Sequence, residues 1–231
     1  MPAVLGAMWK SPLYSYHAGS LVIDVTSSIS AGLPPHRCLT NRFKPLVQAA
    51  EGRRILDFGA GALRHTLPLL RSPHFEVCAV EFEEAFVRKE AADARETAQR
   101  NANFSTLIWP KAFKRDRRRF DAAILSYVLQ VMPEVREREM VIEQIAKKLV
   151  EGGHLLYMSR FGQVTAEMKT RQLKDGYWMW PNRQTHSFYV EFTHEQTDKM
   201  MEKHGLERAH SWSEGGKEQV FVYRKPAGEW G

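Results

Sequence analysis

The chain has 231 residues, 43% of them hydrophobic and 26% charged, with a formal net charge of +6. That length suits one α/β domain with a sizeable core. No apolar run approaches the roughly 18 residues needed to cross a bilayer, which excludes a helical membrane span. Lys10 interrupts the short apolar patch at 2–8, so no signal peptide is expected. The two cysteines, Cys38 and Cys78, are expected to stay unbridged because Cys78 falls in a buried strand, and a cytoplasmic setting follows as the default. A basic balance permits nucleic-acid partners without requiring them. No metal site is expected, and the oligomeric state is left open.

Residues 1–40 read as irregular, with Tyr14, Tyr16 and His17 ahead of a strand expected over 21–25 and a Ser/Gly/Pro loop over 27–35. Asn41 is placed to cap a short helix reaching residue 50. Residues 1–50 are therefore expected to form an extension against a main domain of 51–225, with 226–231 a loose tail. From residue 53 the pattern alternates. Strands are expected over 55–57, 75–80, 104–108, 120–126 and 154–158, and helices over 62–71, 84–100 and 134–149. Gly152 and Gly153 read as the end of the last of these helices. The 120–126 run is almost wholly apolar, as expected of a strand covered on both faces. Such alternation predicts a parallel sheet with right-handed crossovers. Residues 160–190 break the pattern with a polar and aromatic insert. A helix capped by Thr193 follows, and then an antiparallel pair over 206–212 and 219–223.

The stretch 54–64 is the most telling. An apolar strand ends on Asp57, a turn is built on Gly59 and Gly61, and a helix is expected to start. Glycine lets backbone approach a bound ligand. A dinucleotide fingerprint would place a third glycine at 64, where this chain has Arg64. A strand-end acid with two glycines suits a nucleoside ligand without phosphates. The segment resembles motif I of class I S-adenosylmethionine-dependent methyltransferases. The likeness extends over about 53–224 in the right order. It includes Glu81 at the second strand end, the 120–133 strand-four segment, Gly152–Gly153 before the fifth strand, and the 192–206 helix and glycine turn.

The resemblance implies a three-layer α/β sandwich with a mostly parallel seven-stranded sheet, a terminal antiparallel pair, and S-adenosyl-L-methionine as cofactor. It implies a cofactor cradle at Asp57, Gly59, Ala60 and Gly61, with Glu81 accepting hydrogen bonds from the ribose hydroxyls beside Phe82. Ile108 and Trp109 are placed for the adenine slot, with the Trp ring available to stack. Ser126 and Tyr127 stand at the strand-four end, near where the methyl donor would lie. Two departures stand out: the third small residue of motif I is missing, and Trp109 replaces the acid usual after strand three.

For the acceptor, Gln130, Trp178, Trp180, Tyr189 and Tyr14 are candidate contacts, because loops over a rigid scaffold carry specificity. His186 and Glu191 are the candidate general bases, with Tyr127 a further catalytic candidate; a base matters only if the acceptor must lose a proton. His65 at the helix start is weighed as a contact to cofactor or acceptor against a purely structural role. The basic run 111–119 precedes strand four and is read mostly as a solvated face at the amino edge of the sheet. No Asn/Asp-Pro-Pro-Tyr motif and no Pro-Cys nucleophile stands after strand four. Methyl transfer to an O or N atom of a small molecule is the leading expectation. The alternatives are an RNA or DNA target, or a cofactor-binding protein without catalysis.

Overall fold

Residues of alternating destination run through every central strand. In β3 (Arg54–Phe58) Ile55 faces one core while Leu56 and Phe58 face another. In β4 (Glu76–Glu81) Val77 and Ala79 oppose Cys78 and Val80, the two-residue period that lets one strand serve two apolar layers. The structure is a computed structural model and describes residues 15–18, 20–28, 34–179, 186–214 and 216–228. With β5 (Phe104–Ile108), β6 (Phe120–Ser126), β7 (Leu149–Arg160), β11 (Glu207–Glu214) and β12 (Glu218–Arg224), these strands form one sheet of order β11-β12-β7-β6-β3-β4-β5. The neighbours β7-β6, β6-β3, β3-β4 and β4-β5 are parallel, and the β12 pairings are antiparallel. One layer holds α1 (Lys44–Ala49), α2 (Thr66–Leu70) and α4 (Lys89–Gln99). The other holds α5 (Lys111–Arg115), α6 (Val135–Lys148) and α8 (His194–Glu202). Cys38 and Cys78 are buried in opposite layers and form no disulfide.

Several elements differ from expectation for local reasons. The helix expected from residue 62 is α-helical only from Thr66, because Leu63 takes a left-handed φ of 58°. The helix expected over 84–100 splits into α3 (Glu83–Phe86) and α4 at Arg88, whose extended backbone sends its guanidinium to Asp24 at 2.8 Å. Gly152 and Gly153 do not end α6. Leu149 is already extended, and the glycine pair lies inside β7, where Gly152 N–H donates to Lys225 O at 2.8 Å. Asn41 lies within a π-helical turn, Leu39–Phe43, rather than at a cap. Thr193 does cap α8, through a reciprocal capping box with Gln196.

The N-terminal segment contributes β1 (Ser15–Ala18) and β2 (Leu21–Asp24), an antiparallel pair outside the main sheet. Tyr16 is buried and its hydroxyl donates to Glu137 on α6, so it is an anchor here. The insert contributes α7 (Ala166–Lys169) and a small sheet of β8 (Gln172–Leu173), β9 (Gly176–Met179) and β10 (Ser187–Tyr189). Asp175 ties that insert to α6 through Arg138, 2% exposed, at 2.5 Å, and the guanidinium also covers Phe192 at 5.3 Å. Asp175→Ala leaves that cation buried without its counter-charge. It is expected to lower stability by about 3 kcal/mol in urea unfolding, whereas the apolar Arg138→Met costs less. Equal losses in the two variants would refute the uncompensated-charge account.

Candidate functional site

The order of the sheet places a switch point at β3, since the chain moves to β4 and β5 on one side and to β6 and β7 on the other. Ligands of open α/β sheets bind outside the strand carboxyl ends at such a point. A cavity of ≈ 540 Å³ opens there, floored by Asp57 near the end of β3 with Gly59, Ala60 and Gly61 after it, Glu81 at the end of β4 with Phe82 after it, Trp109 after β5, and Ser126 at the end of β6 with Tyr127 after it. Its far wall comes from the insert, with Gln163, Met168, Met179, Phe188 and Tyr189, and Val25 and Thr26 of the N-terminal segment close another side.

The floor is a backbone cradle. Gly59 and Gly61 have φ of 70° and 50°. A Cβ on Gly59 would stand 2.2 Å from Val128 Cγ2, so only glycine fits. Glu81 holds this turn from below: its Oε2 accepts from Gly61 N–H at 2.9 Å and its Oε1 from Phe82 N–H at 2.8 Å. Burial pushes the Glu81 carboxyl up to about 7 against those two hydrogen bonds, and nearby Asp57 adds to the rise. Asp57, 2% exposed, accepts from Thr66 Oγ1 at 2.6 Å, and burial lifts it to about 6.

Trp109 lines the cavity, but its ring is not free to stack. It is 4% exposed, lies edge-to-face against Phe58 and Phe82, and donates through Nε1 to Gln144 at 3.1 Å. Ile108 does not reach the cavity; it packs on the opposite core because side chains alternate along β5. Gln130 lines the cavity at 5% exposure, and its Oε1 accepts from Arg160 N–H at 2.9 Å, bracing the end of β7.

The two expected general bases stand elsewhere. His186 is absent from the cavity wall. Its backbone bridges to β2 through Val22 and Asp24, and its ring meets Trp178 at 4.9 Å. Trp178 likewise packs away from the cavity, with Arg171 over its ring at 5.6 Å. Glu191 is a loop anchor: its Oε1 accepts from Gln163 N–H, from Val164 N–H at 3.0 Å and from the Tyr189 hydroxyl at 3.1 Å. Those partners come from tertiary pairing and leave no trace in local sequence. Tyr127 lines the cavity, yet its hydroxyl points out of it, donating to Glu218 Oε1 at 2.7 Å and lying 2.9 Å from His36 Nε2; burial and Glu218 raise its phenol. Tyr14 and Trp180 lie outside the described residues.

His65 enters the wall instead. It is 5% exposed, Nε2 lies 3.2 Å from Ser126 Oγ, and Nδ1 is buried without a hydrogen-bond partner among the described residues. Burial, with His36 and Arg64 nearby, lowers its pKa to about 3, so the ring is neutral at ordinary pH. The basic run also differs from expectation. Lys111 to Arg115 form α5 descending from the carboxyl end of β5, and only 116–119 sit at the amino edge; none of 111–119 lines the cavity. Among the described residues no group of three or more His, Cys, Asp or Glu could hold a metal ion, and no helix is long and apolar enough to cross a membrane.

Two observations fit a nucleoside-type cofactor: a turn that excludes a Cβ at Gly59, and an orphaned buried imidazole nitrogen on the same wall. Comparison with known proteins agrees with this geometry. Among curated proteins none matches the chain. Among solved structures, the chain is similar to PH0226 protein from Pyrococcus horikoshii, with a TM-score of 0.61 and 17% identity over 81% of this chain and 89% of that one. It is similar also to the 1,6-didemethyltoxoflavin N1-methyltransferase of Burkholderia thailandensis, solved with 1,6-didemethyltoxoflavin and S-adenosylhomocysteine, at a TM-score of 0.59 and 20% identity over 82% and 79%. The CcbJ methyltransferase of Streptomyces caelestis gives a TM-score of 0.57 and 17% identity over 84% and 91%. A family profile described as a methyltransferase domain matches residues 36–211. With that match over most of its length, a glycine cradle at the switch point and the seven-stranded order above, the chain belongs to the methyltransferase-domain family of class I S-adenosylmethionine-dependent enzymes.

Proposed function

We propose that the chain transfers a methyl group to an O or N atom of a small molecule held under the insert. The observation that carries this reading is a cavity that Ser126 shares with the insert side chains Met168, Met179, Phe188 and Tyr189. That shape suits a compact, partly apolar acceptor. The basic run 111–119, which the sequence offers as a nucleic-acid surface, contributes no residue to the cavity wall. The methylated toxoflavin precursor of the Burkholderia relative is a small heterocycle and supports the same class.

In this reading Gly59–Gly61 backbone receives the amino-acid part of the cofactor, Glu81 accepts from the ribose hydroxyls, and Phe82 and Trp109 wall the adenine. When bound, the cofactor supplies an electrophilic methyl on a sulfonium. The chain's own part is to align the acceptor lone pair and to exclude water. The insert and the N-terminal segment close the site, and the neutral His65 offers Nδ1 as a hydrogen-bond partner to a bound polar group. Among the described residues the carboxylates of the cavity wall are Asp57 and Glu81, both engaged by hydrogen bonds, and its imidazole is the neutral His65, so the acceptor is expected to need no strong base. It would be an amine, a heteroaromatic nitrogen or an acidic hydroxyl.

Incubating the protein with cofactor carrying a labelled methyl group, alongside amines, heterocycles, phenols, tRNA and duplex DNA, tests the proposal. Label is expected in a small molecule. Label appearing only in nucleic acid would reject it.

A further inference from the structure

Beside the main cavity lies a second depression of ≈ 490 Å³, and the two share Arg64, Arg160 and Gln163. Its lining brings together four cations from four separate segments. Arg37 comes from the N-terminal extension, Arg64 from the turn after β3, Arg160 from the end of β7 and Lys217 from the β11–β12 turn. None of the four makes an ion pair among the described residues. Among the described residues the groove holds one carboxylate, Glu218, which is already engaged: Oε1 accepts from the Tyr127 hydroxyl at 2.7 Å and Oε2 lies 3.2 Å from His36 Nδ1.

Two of the cations are held in place. Arg160 lies over the Tyr127 ring at 5.2 Å, at the boundary of the two cavities. Arg64 donates through Nε to Pro34 O at 2.5 Å, which leaves its two terminal nitrogens for a ligand. Guanidinium groups present paired donors that match an oxyanion, and four cations gathered around the single charge of Glu218 leave the groove net positive until an anion arrives.

We infer that the acceptor is an anion, and that this groove receives its carboxylate or phosphate while the rest of the molecule enters the cavity. The inference rests on the small-molecule reading above and names its substrate class. An oxyanion could also belong to the amino-acid part of the cofactor. Arg160 and Gln163 line both cavities and lead into the insert, whose Met168, Met179, Phe188 and Tyr189 wall the main cavity, and this favours the acceptor.

The test uses the full chain saturated with S-adenosylhomocysteine, with benzoate, phenyl phosphate and neutral benzamide as calorimetric probes. One of the two anions is expected to bind about tenfold or more tighter than benzamide, with an advantage that shrinks as salt rises. Arg160→Gln/Lys217→Gln should abolish that advantage while the affinity for S-adenosylhomocysteine stays within about twofold. Equal binding of all three probes to the wild type would overturn the inference, as would an advantage that survives the double variant. A large loss of S-adenosylhomocysteine affinity in the variant would assign the groove to the cofactor instead. Tighter capture of a short single-stranded RNA than of phenyl phosphate would assign it to a nucleic-acid backbone. If neutral acceptors are methylated and anions are ignored, the anion inference fails while the small-molecule reading stands. Label found only in nucleic acid removes both.

Discussion

Gly59→Ala is expected to cost about 2–5 kcal/mol of stability and to weaken S-adenosylhomocysteine binding by about 10–100-fold. Two separate penalties add. The backbone at Gly59 has φ of 70°, where a side chain is strained by about 1–2 kcal/mol. The new methyl would also stand 2.2 Å from Val128 Cγ2, a stiff β-branched neighbour that must move. Overpacking of this kind costs about 1–3 kcal/mol. For a chain of this length the melting temperature should fall by about 4–20 °C. Because Gly59 N–H donates to Val80 O at 2.8 Å, any displacement carries into the end of β4 beside Glu81. Gly59→Ala/Val128→Ala removes the clash but not the dihedral strain, and should recover about half of the lost stability. Wild-type melting and affinity in the single variant would show that the turn is not a close-packed cradle.

Glu81 gives the second large effect, and its pH dependence separates two roles. Burial raises this carboxyl to about 7, far above the ordinary carboxylate range, so in the ligand-free protein it binds its proton more tightly than in the unfolded chain. Stability from this group is therefore full in acid and is lost as pH rises toward about 7. Cofactor binding should run the other way. Ribose hydroxyls donate best to the ionised carboxylate, so affinity for S-adenosylhomocysteine should rise about tenfold per pH unit up to about 7 and then level off. Glu81→Gln should flatten that profile. Its amide can accept from only one of the Gly61 and Phe82 N–H groups and turns a donor toward the other. Glu81→Ala should cost about 100-fold in affinity, from about 3 kcal/mol of charge-assisted hydrogen bonding. Calorimetry between pH 5.5 and 8 reads both results. A flat wild-type profile, or an unchanged affinity in Glu81→Ala, would remove Glu81 from the ribose contact.

What could be read in the sequence was set by local physics. Period-two apolar runs bounded by turn residues gave the strands and their alternation with helices. A strand-end acid followed by Gly59 and Gly61 gave the cradle, because only glycine adopts such a turn against a neighbouring strand end. A sheet of this connectivity then has one switch point, and Asp57, Glu81, Trp109 and Ser126 gather there by topology alone. Tertiary structure decided which of the remaining polar groups could reach that point. Glu191 and His186 looked equally suited to proton transfer. One is saturated by the backbone of 163–164 and the other is drawn to β2. Ile108 and Trp109 are neighbours in sequence, yet strand alternation sends them to opposite layers. Arg37, Arg64, Arg160 and Lys217 are scattered along the chain, and only the packing of the extension and the terminal hairpin against the end of β7 assembles them into one groove. Local patterns encode backbone shape, because propensity acts over a few residues. Side-chain chemistry at a site depends on contacts between distant segments, and those exist only once the chain has closed on itself.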